Sequence, residues 1–301
     1  MSEILVVGSL AYDSISSPEG SVAKTLGGSA NYFSLAAHHF APVRVVGVVG
    51  NDYRDDDLQM LRSRNVDTDG LQIVDGKTFH WEGKYEGDMN EAITLNTELN
   101  VFEHFNPKLP EHYKNSSFAF LANIDPNLQL DVLNQIDAPK LIASDTMNFW
   151  ITSKKQDLLK VLKKVDLVVI NEMESILLTE EKNAVAAANK ILTMGPSAVI
   201  IKRGEYGFVA KMGDDFFALP AFPIAKVVDP TGAGDSFAGG LFGYLASQDA
   251  PLNFENLKKA CVHGAVIASF TVEDFGVTPL KNVNKTQIDE RMEKYTRMVS
   301  I

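Results

Sequence analysis

Val227-Val-Asp-Pro-Thr-Gly-Ala-Gly-Asp-Ser-Phe-Ala-Gly-Gly-Leu241 joins an apolar strand end to an apolar helix through a glycine-rich turn. The apolar residues stop at Asp229-Pro230, as a strand end does. Thr231-Gly-Ala-Gly234 permits a tight turn with positive φ and a close backbone approach to a ligand. Asp235 falls at the N-cap or in the first turn of the helix that follows. The N–H groups of Gly232, Ala233 and Gly234 would point outward at that helix N-terminus. They form an anion site for charge developing on a transferred phosphoryl group. A carboxylate beside such a site is counterproductive unless it has its own task. The natural one is to accept the proton of an attacking hydroxyl. A lone Gly-x-Gly-Asp reads as a capped helix; within this whole segment it reads as phosphoryl-transfer machinery.

Working outward, the chain alternates strands and helices. Ile4–Gly8 and Val43–Val49 are short, continuous apolar runs, as buried strands are. Between them Asn31–Phe40 carries apolar residues at helical spacing. Strands are expected again at Phe118–Ala122, Lys140–Ser144, Leu167–Ile170, Ala198–Ile201 and Lys226–Val228, and a hairpin at Phe208–Leu219. Helices are expected at Asn127–Ile136, Lys154–Lys164, Glu172–Leu178, Ala184–Met194, Phe237–Ser247, Asn256–Phe270 and Thr286–Met298. This rhythm predicts a three-layer α/β/α sandwich around a mostly parallel sheet. Residues 72–106 break it with β-formers and polar residues. Together with about 11–18, they are expected to form a small inserted β lid on a single domain spanning 1–301.

Composition narrows the function. The 301 residues are 45% apolar and carry a formal net charge of -11. Such a surface repels a polyphosphate backbone, so nucleic acid is excluded as a partner. It also repels a nucleotide at long range, so a nucleotide site needs local positive potential. Cys261 is the one cysteine, which excludes an intrachain disulfide, and its apolar surroundings read as a buried helix. The N-terminus lacks the pattern of a signal peptide, and no stretch has the roughly 20 apolar residues of a membrane span. A cytoplasmic protein is expected, and the glycosylation patterns at Asn115 and Asn284 read as chance.

Two common phosphate motifs are missing. There is no Gly-x4-Gly-Lys-Ser/Thr, and no Gly-x-Gly-x-x-Gly follows the first strand. The latter weakens a nicotinamide-dependent oxidoreductase. Asp229-Pro-Thr-Gly-Ala-Gly-Asp-Ser-Phe237 instead closely resembles the C-terminal signature D-T-x-G-A-G-D-x-F of the ribokinase-like carbohydrate kinases, the PfkB family. Leu26-Gly-Gly-Ser-Ala-Asn31 resembles that family's N-terminal G-G-x-x-x-N, with one residue fewer before the asparagine. Val49-Gly-Asn-Asp52, Asn171-Glu-Met-Glu174 and Lys202-Arg-Gly-Glu-Tyr-Gly207 resemble further motifs, in family order, from residue 5 to about 280.

The resemblance implies an ATP- and Mg2+-dependent kinase of a small sugar or nucleoside. It implies that Asp235 is the general base, with Gly232, Ala233 and Gly234 as the anion hole. Asp13, Gly27, Gly28 and Asn31 would hold the acceptor. Asn171, Glu174, Lys202 and Gly204 would line the ATP site, with Glu174 reaching Mg2+ through water. Asp229 and Thr231 match positions that contribute to a monovalent cation site, here K+. His263 falls in a helix that lines the adenine pocket in many relatives, where asparagine is common. It either contacts the nucleotide or is a satisfied helix histidine. Ala268-Ser-Phe-Thr-Val-Glu-Asp-Phe-Gly276 is unlike ribokinase proper.

The acceptor stays open between a sugar and a purine nucleoside. Phe79, Trp81 and Tyr85 in the expected lid, and Phe149-Trp150, are aromatics able to stack on a base or to serve as core or dimer contacts. An open lid edge invites a homodimer by strand pairing. The alternative of another class is a non-catalytic binding protein on the same fold, which the presence of Asp235 opposes.

Overall fold

The computed structural model describes residues 2–249 and 251–300. Its N-terminal part contains β1 (Ile4–Val7), β2 (Ala11–Ser17), β3 (Gly20–Gly27), α1 (Ser29–Ala37), β4 (Val43–Gly50), α2 (Asp55–Arg62), β5 (Val66–Val74), β6 (Phe79–Tyr85) and β7 (Ala92–Glu98). Next come β8 (Phe118–Leu121), α3 (Pro126–Leu133), β9 (Leu141–Ser144), α4 (Asn148–Ser153), α5 (Lys155–Leu162), β10 (Leu167–Asn171), α6 (Glu172–Thr179) and α7 (Ala184–Leu192). The chain closes with β11 (Ala198–Lys202), β12 (Phe208–Met212), β13 (Asp215–Leu219), α8 (Ala233–Gln248), α9 (Phe254–Thr271), α10 (Thr278–Asn282) and α11 (Lys285–Val299).

The continuous apolar runs form a nine-stranded sheet in the order β13-β12-β11-β10-β9-β8-β1-β4-β5. Its strands from β11 to β5 pair in parallel, and β12 and β13 return as an antiparallel hairpin. Alternate side chains feed two cores. Ile4, Val6, Phe118, Phe120, Leu167 and Val169 face one layer; Leu5, Val7, Ala119, Leu121, Val168 and Ile170 face the other. A sheet buried on both faces needs apolar residues at every position, which is why these strands read as unbroken runs. The first layer holds α1, α8, α9, α10 and α11, and the second holds α3 to α7. Phe33 of α1 stacks on Phe120 at 4.5 Å, with Phe242 of α8 edge-on at 5.5 Å. Gly239 and Gly264 let α8 approach α1 and α9 backbone to backbone, since a methyl group there would press on the carbonyls of Phe33 and Phe237.

A second sheet has four strands in the order β3-β2-β6-β7. It differs from the expected insertion at two places. Strand β3, Gly20–Gly27, belongs to it although the segment shows no apolar alternation; pairing with β2 makes it a strand. Residues 72–74 instead complete β5, which pairs with β4 at the main sheet's edge. The expected strand at Lys226–Val228 is irregular: β13 already occupies that edge, and the Val228 N–H donates to the Val272 carbonyl at 2.8 Å. The turn at Gly232 begins α8 itself, so the helix starts at Ala233 and not at Phe237. Among the described residues, no helix is long and apolar enough to cross a membrane.

Candidate active site

Parallel strands deliver their C-terminal ends to one rim of the sheet, where α/β proteins bind ligands. Asp145 directly follows β9, while Asn171 and Lys202 end β10 and β11 as register partners. Asn171 caps α6: its Oδ1 accepts the Glu174 N–H at 2.8 Å, and the Glu174 carboxylate accepts the Asn171 N–H at 2.9 Å. This reciprocal box fixes Glu174, which is buried, at the rim. Lys202 Nζ donates to Asp145 Oδ2 at 3.3 Å. The same amine lies against Gly234, only 2.7 Å from where a methyl group on that residue would stand. Lys202 is thus the positive group beside the 232–234 turn.

Asp235 sits in the first turn of α8. Burial raises its carboxyl to about 7, the Asp145 charge pushes the same way, and Lys202 opposes. Burial and the Asp145 charge also raise Glu174. Burial alone would lower Lys202, but Asp145, Glu174 and Asp235 outweigh it and keep the amine protonated. Three carboxylates therefore share one ammonium. That excess of negative oxygen suits a hard divalent cation, with Asp145 the oxygen donor in contact with the amine.

The small sheet closes the other side. Asp13 of β2 is buried, and its carboxyl is raised to about 8 by burial and by the charges of Asp229 and Asp235. A methyl group on Gly27 would overlap the Asp13 carboxylate. Gly28 has φ 89°, and a side chain there would meet the Ser9 carbonyl at 2.6 Å. Asn31 is fully buried: its amide donates to the Gly27 carbonyl at 2.6 Å and its oxygen accepts from the Tyr53 hydroxyl at 3.3 Å. Asn31 therefore braces the glycine pair.

Asp229 ties two loops together. Its carboxylate accepts the N–H groups of Thr231 at 2.9 Å and Gly276 at 2.8 Å. Gly232 has φ 73°, and the Tyr32 ring covers it so closely that a methyl group would stand 2.3 Å from the ring. Gly204 has φ 55° and faces Asn90, from the β6–β7 connection, at the point where a side chain would grow.

Two expected groups are held by neighbours of their own. The His263 ring stacks on Tyr244 at 4.1 Å and meets Phe40 edge-on at 5.4 Å, and burial lowers it to about 4, leaving it neutral. Its surroundings are those of a helix-packing histidine. Trp150 donates its indole N–H to Asn123 at 3.1 Å. Two members of the cluster went unassigned from sequence: Asp145 and Tyr32. Asp145 could have been found, since it is a carboxylate directly behind a strand end. Tyr32 carries no such signal, because its place depends on contact with the distant Gly232, and Tyr85, expected as a stacking aromatic, instead meets the Thr231 hydroxyl.

The parallel sheet, covered by helices on both faces, and the charged rim at its strand ends define an α/β protein with a ligand site at that rim. A family model described as pfkB family carbohydrate kinase matches residues 1–283. The chain belongs to that family and is a carbohydrate or nucleoside kinase. It is 33% identical over 263 residues to a cytidine kinase of Thermococcus kodakarensis, covering 84% of this chain and 91% of that one. It is 25% identical over 310 aligned positions to a nucleoside kinase of Methanocaldococcus jannaschii, covering 98% of each. A crystal structure of Methanocaldococcus jannaschii nucleoside kinase matches the fold with a TM-score of 0.76 at 22% identity, over 98% of this chain and 99% of that one. A putative Ribokinase II from E. coli, in complex with ATP and Mg2+, matches with a TM-score of 0.77 at 18% identity, over 98% of this chain and 100% of that one.

Proposed function

We propose that this chain transfers the γ-phosphate of ATP to a hydroxyl of a small sugar or nucleoside, with Asp235 as general base. The carrying observation is the placement of Lys202 against Gly234, with the half-buried Asp235 one residue further along α8, its carboxyl raised to about 7. It puts a proton acceptor and an electropositive wall at the same turn. Asp13 orients the acceptor, and Gly27, Gly28 and Asn31 hold Asp13 and its strand in place. Asp235 then takes the hydroxyl proton. The N–H groups of Gly232 and Gly234, with Lys202, face the migrating charge; the Ala233 N–H, expected to join them, already donates to the Pro230 carbonyl at 3.2 Å, because the chain turns there into α8. Asn171, Glu174 and Gly204 border the nucleotide, and Glu174 reaches the metal through water. Bound Mg2+ would supply charge neutralisation for the phosphates. A K+ ion would lie at Asp229 and Thr231, where main-chain carbonyls add to the Asp229 carboxylate, each of whose oxygens accepts one N–H group and keeps a further lone pair.

Relatives named cytidine kinase and nucleoside kinase favour a nucleoside acceptor; a neighbouring Arabidopsis thaliana ribokinase structure with ribose and ATP keeps a sugar as the second reading. The exposed β7 edge, with Ile93 and Leu95 outward, supports pairing of two lids in a homodimer. ADP release over a panel of pentoses, hexoses and nucleosides decides the acceptor. Asp235→Asn is expected to lower kcat roughly 10²- to 10⁴-fold while ATP binding survives. Near-wild-type turnover in that variant overturns the assignment of the base.

A further inference from the structure

The three aromatics of β6 separate into three roles. Residues 79, 81, 83 and 85 alternate onto one face of the strand. Parallel register pairs Ala11 with Phe79, Asp13 with Trp81 and Ile15 with Gly83, so Asp13 shares that face. It is the face that closes on the anion loop, since Tyr85 at its far end meets the Thr231 hydroxyl at 3.1 Å. Phe79 at the near end stacks on Phe102 at 5.4 Å and is taken up by packing. Trp81 stands between them, beside Asp13.

The Trp81 ring is laid down along the strand. A methyl group on Gly83 would stand 2.1–2.9 Å from three of its six-membered-ring atoms, so glycine at 83 is what lets the indole lie over β6. The indole N–H donates to Thr94 Oγ1 on β7 at 3.2 Å, which fixes the ring's direction. Thr97 is the cross-strand partner of Trp81 and is exposed on the same face. The indole itself is only half-buried. A flat, pinned aromatic face therefore flanks the carboxylate assigned to acceptor hydroxyls, with hydroxyl groups at its edge.

We propose that Trp81 is the platform on which the base of a nucleoside acceptor stacks while Asp13 holds its sugar hydroxyls. This rests on the kinase reading above and narrows its acceptor to a nucleoside. Aromatic faces suit bases because every base presents a π-face, whichever base it is. The edge hydroxyls of Thr94 and Thr97 can meet polar groups on the base rim.

The test uses the whole chain. Trp81 and Trp150 are its two tryptophans. In a Trp150→Phe background, fluorescence reports Trp81 alone. Titration with cytidine, uridine, adenosine and inosine is expected to give saturable quenching by at least one of them, and free ribose none. Trp81→Leu is expected to raise the KM of that nucleoside on the order of 10- to 100-fold, with the KM of ATP unchanged. Trp81→Phe, which keeps a stacking face, is expected to recover most of that loss. Equal quenching by ribose, no quenching by any nucleoside, or an unchanged nucleoside KM in Trp81→Leu overturns the platform. Each of these outcomes leaves the kinase itself standing if ADP is still released with a sugar. Absence of ADP release with every acceptor would count against the kinase reading, and the quenching titration would still decide the platform.

Discussion

The Thr231 hydroxyl donates to the Tyr85 hydroxyl across 3.1 Å, joining the last residue of β6 to the loop that opens α8. Other contacts join the same surfaces. Ser17 Oγ donates to the Val228 carbonyl at 2.7 Å, Lys226 pairs with Glu19 at 2.7 Å, and Thr25 presses on Gly276. The small sheet is therefore latched to the 226–231 loop and to Gly276, and not only joined through the strand that enters it.

Tyr85→Phe removes the hydroxyl bond and keeps the ring. One hydrogen bond contributes on the order of 1 kcal/mol, so the acceptor KM should rise roughly 2- to 10-fold. Amide exchange in β6 and β7 should quicken, since less of the closed arrangement survives. Unchanged exchange in both strands would show that the bond does not hold the sheet down.

As the proposed base, Asp235 would act only when ionised, and its carboxyl is raised to about 7. The kcat/KM profile should therefore fall as pH drops through about 7. The Asp145 charge is one cause of the raised value. Asp145→Asn removes that repulsion, so the acid limb should move to lower pH even as turnover declines. A limb that stays in place or moves upward would detach Asp145 from the base.

Asp13 links stability to pH with the opposite sign from a salt-bridged carboxylate. Its folded value of about 8 lies above the ordinary 3.8, so the native state holds the proton more tightly than the unfolded chain. The stabilisation is complete below the ordinary value and is lost as pH rises through about 8. Glu174 and Asp235 are raised and act in the same direction. Melting temperatures should fall across that window in the wild type, and Asp13→Asn should flatten the decline. A decline equally steep in the variant would exclude Asp13 as its source.

The Tyr32 hydroxyl is buried and has no hydrogen-bond partner, although the ring packs on Gly232. A buried hydroxyl left unpaired costs about 1–3 kcal/mol. Tyr32→Phe should keep the packing and hold or raise the unfolding free energy. A loss of more than about 1 kcal/mol would mean that the hydroxyl is bonded in solution.

The fold and the glycine turn that opens α8 were legible because their signals are local. A strand buried on both faces must be apolar throughout, so β1, β4, β8 and β10 announced themselves. A turn that needs positive φ at Gly232 and a carboxylate three residues later leaves a short, dense signature. Strand β3 was not legible, since its exposed residues become a strand only by pairing with β2. Asp145 was legible in principle, as a carboxylate closing a strand. His263 could not be decided from sequence, because helix periodicity does not say which neighbours a ring meets.

The amino-acid sequence by itself determined the layered α/β architecture and the glycine turn at 232–234 with a carboxylate directly behind it, since each follows from residues adjacent in the chain. Only the tertiary structure decided what surrounds them. It brought Lys202 to Gly234, set Asp145 beside that amine, folded Tyr85 onto Thr231 and packed His263 against Tyr244. Those placements join residues up to 146 positions apart. They depend on strand register, lid closure and helix packing, which no local pattern encodes.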